Sequence, residues 1–549
     1  MNESFDFVIV GSGAGSLCAA LVLRQAGKRV LVLEKASLLG GTTATSGGVM
    51  WIPNNRYMKE QGISDSREQA LAYMNAVVGD SEDTPGTSPE RRATYVDQAP
   101  QMLEFLIGQG LRFRRVPVWP DYYAATGESM SGRTVVSELF DLKQLDEWQD
   151  KLRPGFLPLA AYLEEAMQLP TMKRSLKSFG TLLKMIGRTV GTRLTGKQYA
   201  TAGQALQGQL LHAAVLAGVE IRINSGVKQL LAEGDRVTGV VIEKDGQDWR
   251  IGADLGVLIN AGGFAKNQRM LDQYLPGAKT QWSGATESDT GEIIEESQRL
   301  GAAVAQMDQR VGYPVTMVPG KDAPVYMQGD LSKPHAILVD HQGQRFIKES
   351  SSYMALSSAI LERLQQTPPS PSWMIFDSQY TKLFMVAGTF ANEKKLASWK
   401  EAGFLKQGDS IAELAQACGV DGTQLETTVS RFNGFVTAGK DDDFNRGDHV
   451  YDNWLGDPLA QGSKTLGKIE QGPFYALPIY PGDVSTFGGL VTDSQARVLK
   501  EDGSVLEGLY ATGVSTASVM GKKATGAGAS IGPSLTWAYV AAKHAVSKP

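Results

Sequence analysis

The feature that most constrains the fold lies at the start of the chain, where a short apolar run leads into a glycine-rich turn. Residues 7–10 (FVIV) run into residues 11–16 (GSGAGS) and then into a segment rich in Ala and Leu, which predicts strand, turn and helix. A second apolar run, residues 30–33 (VLVL), ends in Glu34. In a parallel βαβ unit, such a turn lets the backbone approach a pyrophosphate at the helix N-terminus, and the acid accepts ribose hydroxyls. The sequence therefore predicts an α/β, Rossmann-like dinucleotide-binding fold, in which Ser16 replaces the usual Gly or Ala. A turn that only packs helix on strand is the alternative.

Two further features favour FAD over NAD. Glu34 is followed by Lys35 and then by a second glycine-rich loop, residues 40–43 (GGTT), which an NAD-binding protein does not need at this point. Near the other end, residues 508–513 (GLYATG) predict a strand, and residues 532–534 (GPS) start the last helix, whose N-terminus can stabilise negative charge on a reduced flavin. No second GxGxxG turn follows a strand, so we predict FAD and no nicotinamide site.

Composition narrows the class of protein. The chain has 549 residues, a net charge of −5 and 42% hydrophobic residues, which suffices for two or three domains and makes no case for nucleic-acid binding. Cys18 and Cys418 can form neither a disulfide framework nor a metal-ligand cluster, and we expect both to be small core residues. The start, MNESFD, indicates no signal peptide, and no apolar run approaches the roughly 20 residues that span a bilayer. We therefore expect a cytoplasmic protein that binds no metal.

The nucleotide-binding domain is predicted to be discontinuous. After an inserted segment it resumes with a helix, a strand, a hairpin and a buried strand, and the last part of the chain completes it. An α+β block between these parts is expected to be the catalytic domain that caps the substrate. The predicted divisions are FAD-binding parts at 1–112, 198–276 and 470–549, an inserted helical and basic segment near the active-site entrance at 113–197, and a catalytic domain at 277–469.

The segment 171–197 stands apart because it carries seven Lys or Arg residues and no acid. Its apolar residues recur every three or four positions, on one face of a helix: Leu176, Phe179, Leu183, Ile186 and Val190. One interpretation is an amphipathic helix packed on the domain. The other is a basic interfacial helix on anionic lipid near the mouth of a site for apolar substrates, which would make the protein membrane-associated.

Several motifs occur together along nearly the whole chain. They are residues 40–43 (GGTT) with 46–48 (SGG) and 51–55 (WIPNN), 343–346 (GQRF) with Glu349 and Tyr353, 481–483 (PGD) with 488–493 (GGLVTD), and 515–533. In this combination the chain resembles the 3-ketosteroid Δ1-dehydrogenases, flavoproteins of the fumarate reductase/succinate dehydrogenase-like superfamily. The resemblance implies non-covalent FAD, a two-domain architecture, removal of two hydrogens from carbons next to a ring ketone, and an external electron acceptor such as a quinone or a dye. The residues expected at the cofactor are Gly11, Gly13, Ala14, Gly15, Glu34, Lys35, Gly41, Thr42, Thr43, Ser46, Gly47, Gly48, Gly262, Gly513, Ser530 and Ile531.

In that family a tyrosine removes the proton next to the carbonyl, a second tyrosine assists it, and the flavin accepts hydride from the next carbon. Because the ordinary pKa of tyrosine is about 10, the phenolate must be stabilised by its neighbours. The resemblance implies that Tyr353 is the base and that Tyr122 or Tyr123 assists it; we favour Tyr122. The family clamps the carbonyl oxygen with a tyrosine hydroxyl and a glycine N–H, and the glycine matches Gly528.

The clamp is also where the sequence departs from the family. The run MGxxYxGxG is here residues 520–528 (MGKKATGAG), so Ala524 stands at the tyrosine position. Loss of one donor to an oxyanion costs about 2.7–4 kcal/mol, so another donor must replace it or the substrate sits differently. The candidates are Thr525, Lys523 and Tyr199. Trp119 is a candidate to fill space that steroid rings need, so a smaller cyclic ketone such as cyclohexanone, and dehydrogenation at the 4,5 bond of a steroid, remain open.

Two other functions remain as alternatives. A fumarate reductase-type enzyme reduces the double bond of a dicarboxylate held by His and Arg, but residues 483–487 (DVSTF) contain no His and none of the five histidines has recognisable ligand spacing. A flavin-binding protein with a decayed site is supported by Ala524 alone. The sequence therefore favours a cyclic-ketone dehydrogenase.

Overall fold

The computed structural model describes residues 1–79, 85–117, 119–366 and 370–547. The strands of this part of the chain are numbered in chain order: β1 Glu3–Val10, β2 Val30–Leu33, β3 Val49–Trp51, β4 Phe113–Arg115, β5 Thr134–Ser137, β6 Phe140–Asp141, β7 Tyr199–Ala200, β8 Glu220–Arg222, β9 Val227–Glu233, β10 Arg236–Lys244, β11 Gln247–Ile259, β12 Val304–Ala305, β13 Arg310–Thr316, β14 Val325–Tyr326, β15 Ala336–Val339, β16 Ser372–Asp377, β17 Lys406–Gly408, β18 Phe474–Thr486, β19 Gly489–Leu490, β20 Arg497–Leu499 and β21 Val505–Ala511.

The α-helices are numbered in the same way: α1 Ala14–Gln25, α2 Gly41–Thr45, α3 Arg56–Glu60, α4 Arg67–Val78, α5 Pro89–Gly108, α6 Leu163–Ala166, α7 Leu176–Leu194, α8 Ala202–Leu216, α9 Gln268–Tyr274, α10 Glu292–Arg299, α11 Gln328–Leu331, α12 Tyr353–Gln366, α13 Ser378–Leu383, α14 Glu393–Glu401, α15 Ile411–Cys418, α16 Gly422–Ala438, α17 Val450–Leu455 and α18 Ile531–Ser547.

The largest sheet carries the glycine-rich turn. Its strand order is β20-β21-β10-β11-β1-β2-β8, with β9 on β10. The strands around the turn pair in parallel, from β21 through β11, β1 and β2 to β8, whereas β9, β10 and β11 pair antiparallel. Along β1, Phe7 and Ile9 pack in one core and Val8 and Val10 in another. Because both faces are covered, the strand is apolar throughout rather than alternating.

A second, antiparallel sheet has the order β14-β13-β18-β16-β15, with β17 on β18. The predicted fold class is confirmed: a mostly parallel sheet built from three separate parts of the chain stands beside an α+β unit. Strand β18 pairs with β13 and β16, so this second sheet continues past the predicted boundary at 469. The domain boundaries themselves stay predictions.

One expectation is wrong, and one of the two interpretations of segment 171–197 is not supported. Cys18 is buried, but Cys418 is half-buried at the end of α15, so only the first is a core residue. Helix α7 does not pack its apolar face on the protein, since Leu176, Phe179, Leu183, Ile186 and Val190 are 42–91% exposed. No helix among the described residues is both long and apolar enough to cross a membrane.

Candidate active site

A cavity of about 490 Å³ opens at the carboxyl ends of the parallel strands β1, β2 and β11, the edge where α/β sheets bind their ligands. It brings together residues that lie far apart in the sequence. The cofactor-binding candidates that line it are Gly11, Gly13, Ala14, Glu34, Lys35, Gly41, Thr42, Thr43, Ser46, Gly47, Gly48, Gly262, Ser530 and Ile531. The other candidates on its wall are Trp119, Tyr122, Tyr353 and Gly528.

The glycine-rich turn has the geometry that a pyrophosphate requires. Gly11 has φ +94°, and a Cβ there would lie 2.3 Å from the carbonyl oxygen of Asn260, so only glycine fits. No side chain caps the N-terminus of α1, which leaves its first N–H groups open toward the cavity. Ser16, the departure from the usual pattern, accepts a hydrogen bond from Asn260 Nδ2 at 3.0 Å and so ties α1 to the end of β11. These residues fit a bound dinucleotide.

The two charged residues after β2 are held by the chain. Glu34 Oε2 accepts from the Ser12 N–H at 3.1 Å and from the Ser12 hydroxyl at 2.6 Å, and its Oε1 accepts from the N–H of Ala36 at 2.8 Å. Lys35 Nζ donates to the Thr290 hydroxyl at 2.6 Å and forms an ion pair with Glu292. The carboxylate of Glu34 is therefore fixed at the cavity wall by the chain.

The second glycine-rich loop forms a wall of the cavity and packs against the start of α8. Gly48 has φ +63°, and a Cβ there would lie 2.4 Å from the backbone of Gly203. The N–H of Gly203 donates to the carbonyl oxygen of Ser46 at 3.0 Å. The close approach of the two backbones explains why this stretch is rich in small residues.

The predicted tyrosine pair lies on the cavity wall. The ring of Tyr122 meets that of Tyr353 edge-on, with centroids 5.6 Å apart. Burial raises the pKa of both phenols, and the Tyr122 hydroxyl offsets part of this rise at Tyr353. The pKa of Tyr353 still lies above its ordinary value, so Tyr122 is the neighbour that favours a phenolate there while burial opposes it.

A buried ion cluster anchors the chain just before Tyr353, the first residue of α12. Glu349 is fully buried and pairs with Arg345 at 2.8 Å and with Arg446 at 3.1 Å. The Ser352 hydroxyl then hydrogen-bonds the Tyr123 hydroxyl at 2.9 Å. Tyr123 does not line the cavity. The structure therefore places Tyr122 at the cavity and Tyr123 beside the start of α12.

The clamp candidates are not brought together. Gly528 lines the cavity, but Ala524 is buried outside it. The Thr525 hydroxyl donates to Met520 Sδ, the Lys523 ammonium lies over the Tyr123 ring, and Tyr199 lines another cavity beside Arg112 and Tyr162. None of the three possible replacement donors reaches the wall that carries Gly528.

Gly15 and Gly513, predicted at the cofactor, lie behind the cavity lining instead. A Cβ on Gly15 would lie 2.7 Å from the carbonyl oxygen of Ser534, so this glycine lets α1 approach α18. Gly513 has φ +66° and packs against Asn260 and Ser534. Both glycines act on the shape of the site through helix packing.

Sequence reasoning missed an aromatic group around the tyrosine pair. Tyr313 and Tyr326 line the cavity. Tyr451 packs against Tyr122 with ring centroids 4.5 Å apart, and its hydroxyl accepts from Gln328 Nε2 at 2.9 Å. Trp119, which lines the cavity, stacks on Trp454 at 4.9 Å. Apart from Trp119, which the sequence indicates, these residues come from separate parts of the chain that no local motif marks.

Known proteins match nearly the whole chain. A family described as an FAD binding domain matches residues 6–531. The 3-oxosteroid 1-dehydrogenase of Mycobacterium tuberculosis is 34% identical over 559 residues, which cover 99% of this chain and 98% of that protein. The 4-oxocyclohexanecarboxylate 2-dehydrogenase of Sinomonas cyclohexanicum is 32% identical over 560 residues, which cover 99% of this chain and 93% of that protein.

A solved structure is similar to the whole fold. The 3-ketosteroid delta1-dehydrogenase from Sterolibacterium denitrificans, in complex with 1,4-androstadiene-3,17-dione, superimposes with a TM-score of 0.92. The two chains are 33% identical, and the match covers 100% of each. The similarity therefore includes both sheets and the elements that surround the cavity.

Proposed function

Because the chain belongs to the family of FAD-binding flavoproteins that includes the 3-oxosteroid 1-dehydrogenases, we propose that it is an FAD-dependent dehydrogenase that introduces a carbon–carbon double bond next to a ring ketone. One observation carries the proposal. The phenols of Tyr122 and Tyr353, whose rings meet edge-on, line the same cavity as the uncapped N-terminus of α1 and the backbone of Gly528.

FAD is the cofactor, and the cofactor-binding candidates on the cavity wall would hold it. The N–H groups at the start of α1 would meet the pyrophosphate, and the Glu34 carboxylate would accept the ribose hydroxyls. When bound, FAD supplies the acceptor for the hydride that leaves one of the two reacting carbons. Loop 40–48 and the start of α18, which carries Ile531, would enclose it.

Residues of the chain itself remove the proton and polarise the carbonyl group. Tyr353 takes the proton from the carbon next to the ketone, and Tyr122 donates a hydrogen bond that stabilises the phenolate before that step. The Gly528 N–H polarises the ketone oxygen, which makes the neighbouring proton more acidic. With the proton on Tyr353 and with bound FAD to accept the hydride, the ring would be left with one new double bond.

The substrate class that fits is a cyclic ketone, either a 3-ketosteroid or a smaller ring. The relatives act, by their names, on both kinds of ring. The walls contributed by Trp119, Tyr313 and Tyr326 favour flat apolar rings. Desaturation at the 1,2 bond of a 3-ketosteroid is our first proposal, and desaturation at the 4,5 bond is the alternative.

The cavity does not suit a dicarboxylate, the substrate of a fumarate reductase-type enzyme. Its described lining contains neither His nor Arg, and its one cation, Lys35, is paired with Glu292. A dicarboxylate would lose its hydration without gaining a charged partner, which is unfavourable. This observation favours the ketone dehydrogenase over that rival.

Turnover also requires an external acceptor that takes two electrons from the reduced cofactor, and we propose a quinone or a dye-like compound. We also propose peripheral membrane contact through residues 171–197, which would suit apolar ketones and quinones because both partition into membranes. The exposed apolar side chains of α7 support this contact.

Anaerobic bleaching of the bound flavin tests the function. The FAD-loaded protein is mixed with androst-4-ene-3,17-dione, a saturated 3-ketosteroid, cyclohexanone or succinate. We expect bleaching by at least one ketone, and analysis of the product locates the new double bond. Bleaching by succinate alone, or reoxidation of dye-reduced flavin by fumarate without any reaction with ketones, would favour the fumarate reductase-type alternative. If none of the ketones bleaches the flavin, the proposal is wrong.

A further inference from the structure

Helix α7 exposes a continuous row of large apolar side chains, which we call the apolar stripe. Its members are Leu176, Phe179, Leu183, Ile186, Val190 and Leu194. The opposite face, with Ser178, Met185 and Thr189, is the one that packs on the protein. Ordinary surface helices bury their apolar face and expose the polar one. Helix α7 is inverted in this respect, so its stripe needs a partner outside the described chain.

The charges around the stripe have one sign. No acid occurs between residues 171 and 197. Arg188 and Lys184 pair with Glu165, and Arg174 pairs with Asp457. The remaining cations of the helix and its flanks that form no ion pair with a described residue are Lys173, Lys177, Arg193 and Lys197. The partner must therefore be apolar in one layer and negatively charged beside it.

An anionic membrane has this chemistry, whereas a protein partner fits less well. A second copy of the chain would bring two basic segments together, which is unfavourable. Interfaces between proteins are depleted in lysine, and this segment contains Lys173, Lys177, Lys184 and Lys197. An amphipathic helix with apolar residues on one side and cations beside them is the ordinary form of an interfacial membrane anchor.

Two series of contacts connect the mouth of the cavity to α7. Phe156 lines the cavity and is 55% exposed. Four residues later, the N–H of Ala160 donates to the Thr189 hydroxyl, and its carbonyl oxygen accepts from Arg188, both at 2.9 Å. Four residues of extended chain span at most about 14 Å. The cavity wall at Phe156 is thus coupled directly to the inner face of the helix.

The second connection reaches the start of α7. Trp119 on the cavity wall stacks on Trp454, at the end of α17. Three residues after this tryptophan, Asp457 accepts a hydrogen bond from Arg174 at 2.9 Å, just before the helix begins. Both connections place α7 on the side of the molecule where the cavity opens.

We infer that α7 lies in the interface of an anionic membrane, with the apolar stripe in the acyl boundary, and that this contact brings the cavity mouth at Phe156 to the lipid so that an apolar ketone enters from the membrane. The route for the ketone rests on the proposed function. The membrane contact does not, because it follows from the stripe and its charges.

Sedimentation with vesicles tests the contact. The holoenzyme is mixed with phosphatidylcholine vesicles with and without phosphatidylglycerol. We expect binding to the anionic vesicles, weakened by salt, and at least a fivefold lower partition coefficient for Leu183→Glu and for the triple variant Lys177→Gln/Arg193→Gln/Lys197→Gln. The matched control is Leu216→Glu, at another exposed leucine, on α8, and it should bind as the wild type does. Absence of wild-type binding at low salt, or a dimer in sedimentation velocity that Leu183→Glu dissociates, would overturn the inference.

Delivery is tested by presenting one 3-ketosteroid in two forms, dissolved in anionic vesicles or carried by cyclodextrin. We expect Leu183→Glu to lower turnover of the vesicle-borne steroid at least fivefold and to leave turnover of the cyclodextrin-borne steroid unchanged. Equal turnover by both proteins in both forms would overturn delivery from the membrane. Absence of wild-type turnover in both forms would contradict the ketone dehydrogenase and with it the route, while the vesicle sedimentation would still decide the membrane contact.

Discussion

The ring of Tyr313 lies face to face on the ring of Tyr353, with centroids 4.2 Å apart and planes 7° apart. Tyr122 meets the same ring edge-on, with centroids 5.6 Å apart. Tyr353 is therefore held on one face by stacking and at another side by the Tyr122 ring. A residue proposed as a base and held in this way keeps its oxygen in one position relative to the cavity, as proton transfer requires.

Removal of the Tyr353 hydroxyl should abolish most turnover. In Tyr353→Phe the stack on Tyr313 can remain, but no phenolate is available, and loss of a general base costs about 100- to 10,000-fold in rate. We expect kcat to fall in this range while the flavin spectrum and FAD content are unchanged. The matched control is Tyr539→Phe, a tyrosine on α18 outside the cavity lining, and it should retain wild-type turnover. Unchanged turnover in Tyr353→Phe would remove this residue from the mechanism.

Removal of the Tyr122 hydroxyl should move the pH profile. The Tyr122 hydroxyl lowers the pKa of Tyr353, so its loss raises that pKa further and depletes the phenolate at neutral pH. Hydrogen bonds to charged groups contribute about 1.5–3 kcal/mol, which corresponds to about tenfold or more in rate near neutral pH. We expect kcat of Tyr122→Phe to rise at higher pH than kcat of the wild type. Tyr123→Phe is the comparison: if it moves the profile and Tyr122→Phe does not, the assignment of the assisting tyrosine is reversed.

The aromatic ring of Tyr313, rather than its hydroxyl, should keep the Tyr353 ring in position. Aromatic pairs contribute about 0.5–1.5 kcal/mol beyond their buried area. We therefore expect Tyr313→Leu to lower kcat several-fold with FAD retained, because the Tyr353 ring gains freedom, and Tyr313→Phe to stay close to the wild type. A large loss in Tyr313→Phe would instead indicate that this hydroxyl contacts the substrate.

The nucleotide half of the site could be predicted from sequence because the residues that form it are close to one another in the chain. The turn, the uncapped helix and the acid after β2 lie within 30 residues of one another, and the apolar run of β1 shows that the strand is buried on both faces. The tyrosine pair followed from motifs of a known family. In both cases the chemistry constrains residues that are neighbours in the sequence.

The rest of the site depends on pairings between distant segments. Tyr313 lies on β13 and stacks on Tyr353, whereas Tyr451 lies on α17 and packs against Tyr122, so only the packing of distant elements brings both to the tyrosine pair. The same limit applies to the clamp, because Tyr199 is suitable by residue type but lies on another cavity. For α7, the spacing predicts an apolar stripe, but periodicity does not tell whether other elements cover it.

Crowding of the glycine-rich turn should weaken FAD binding. A Cβ on Gly13 would lie 3.2 Å from Asn260 Nδ2, closer than an ordinary contact, and this amide is held by its hydrogen bond to Ser16, which limits how far it can move away. We expect Gly13→Ala to weaken FAD binding at least tenfold, measured by fluorescence titration of the apoprotein. Gly434→Ala is the control, because a Cβ there meets no atom within 4 Å. Equal affinities in the two variants would show that Gly13 does not shape the pyrophosphate site.

Titration of Asp289 should lower stability as pH rises. Burial raises the pKa of this cavity-lining carboxyl from its ordinary 3.8 to about 6, although Ser485 and Gly263 donate hydrogen bonds to it. Between about pH 4 and 6 the folded state therefore binds more protons than the unfolded state, so the free energy of unfolding falls across this window. In Asp289→Asn this side chain stays neutral, and the fall should be shallower when the melting temperature of the apoprotein is followed from pH 4 to 7. Parallel curves for variant and wild type would show that Asp289 keeps an ordinary pKa in the folded protein.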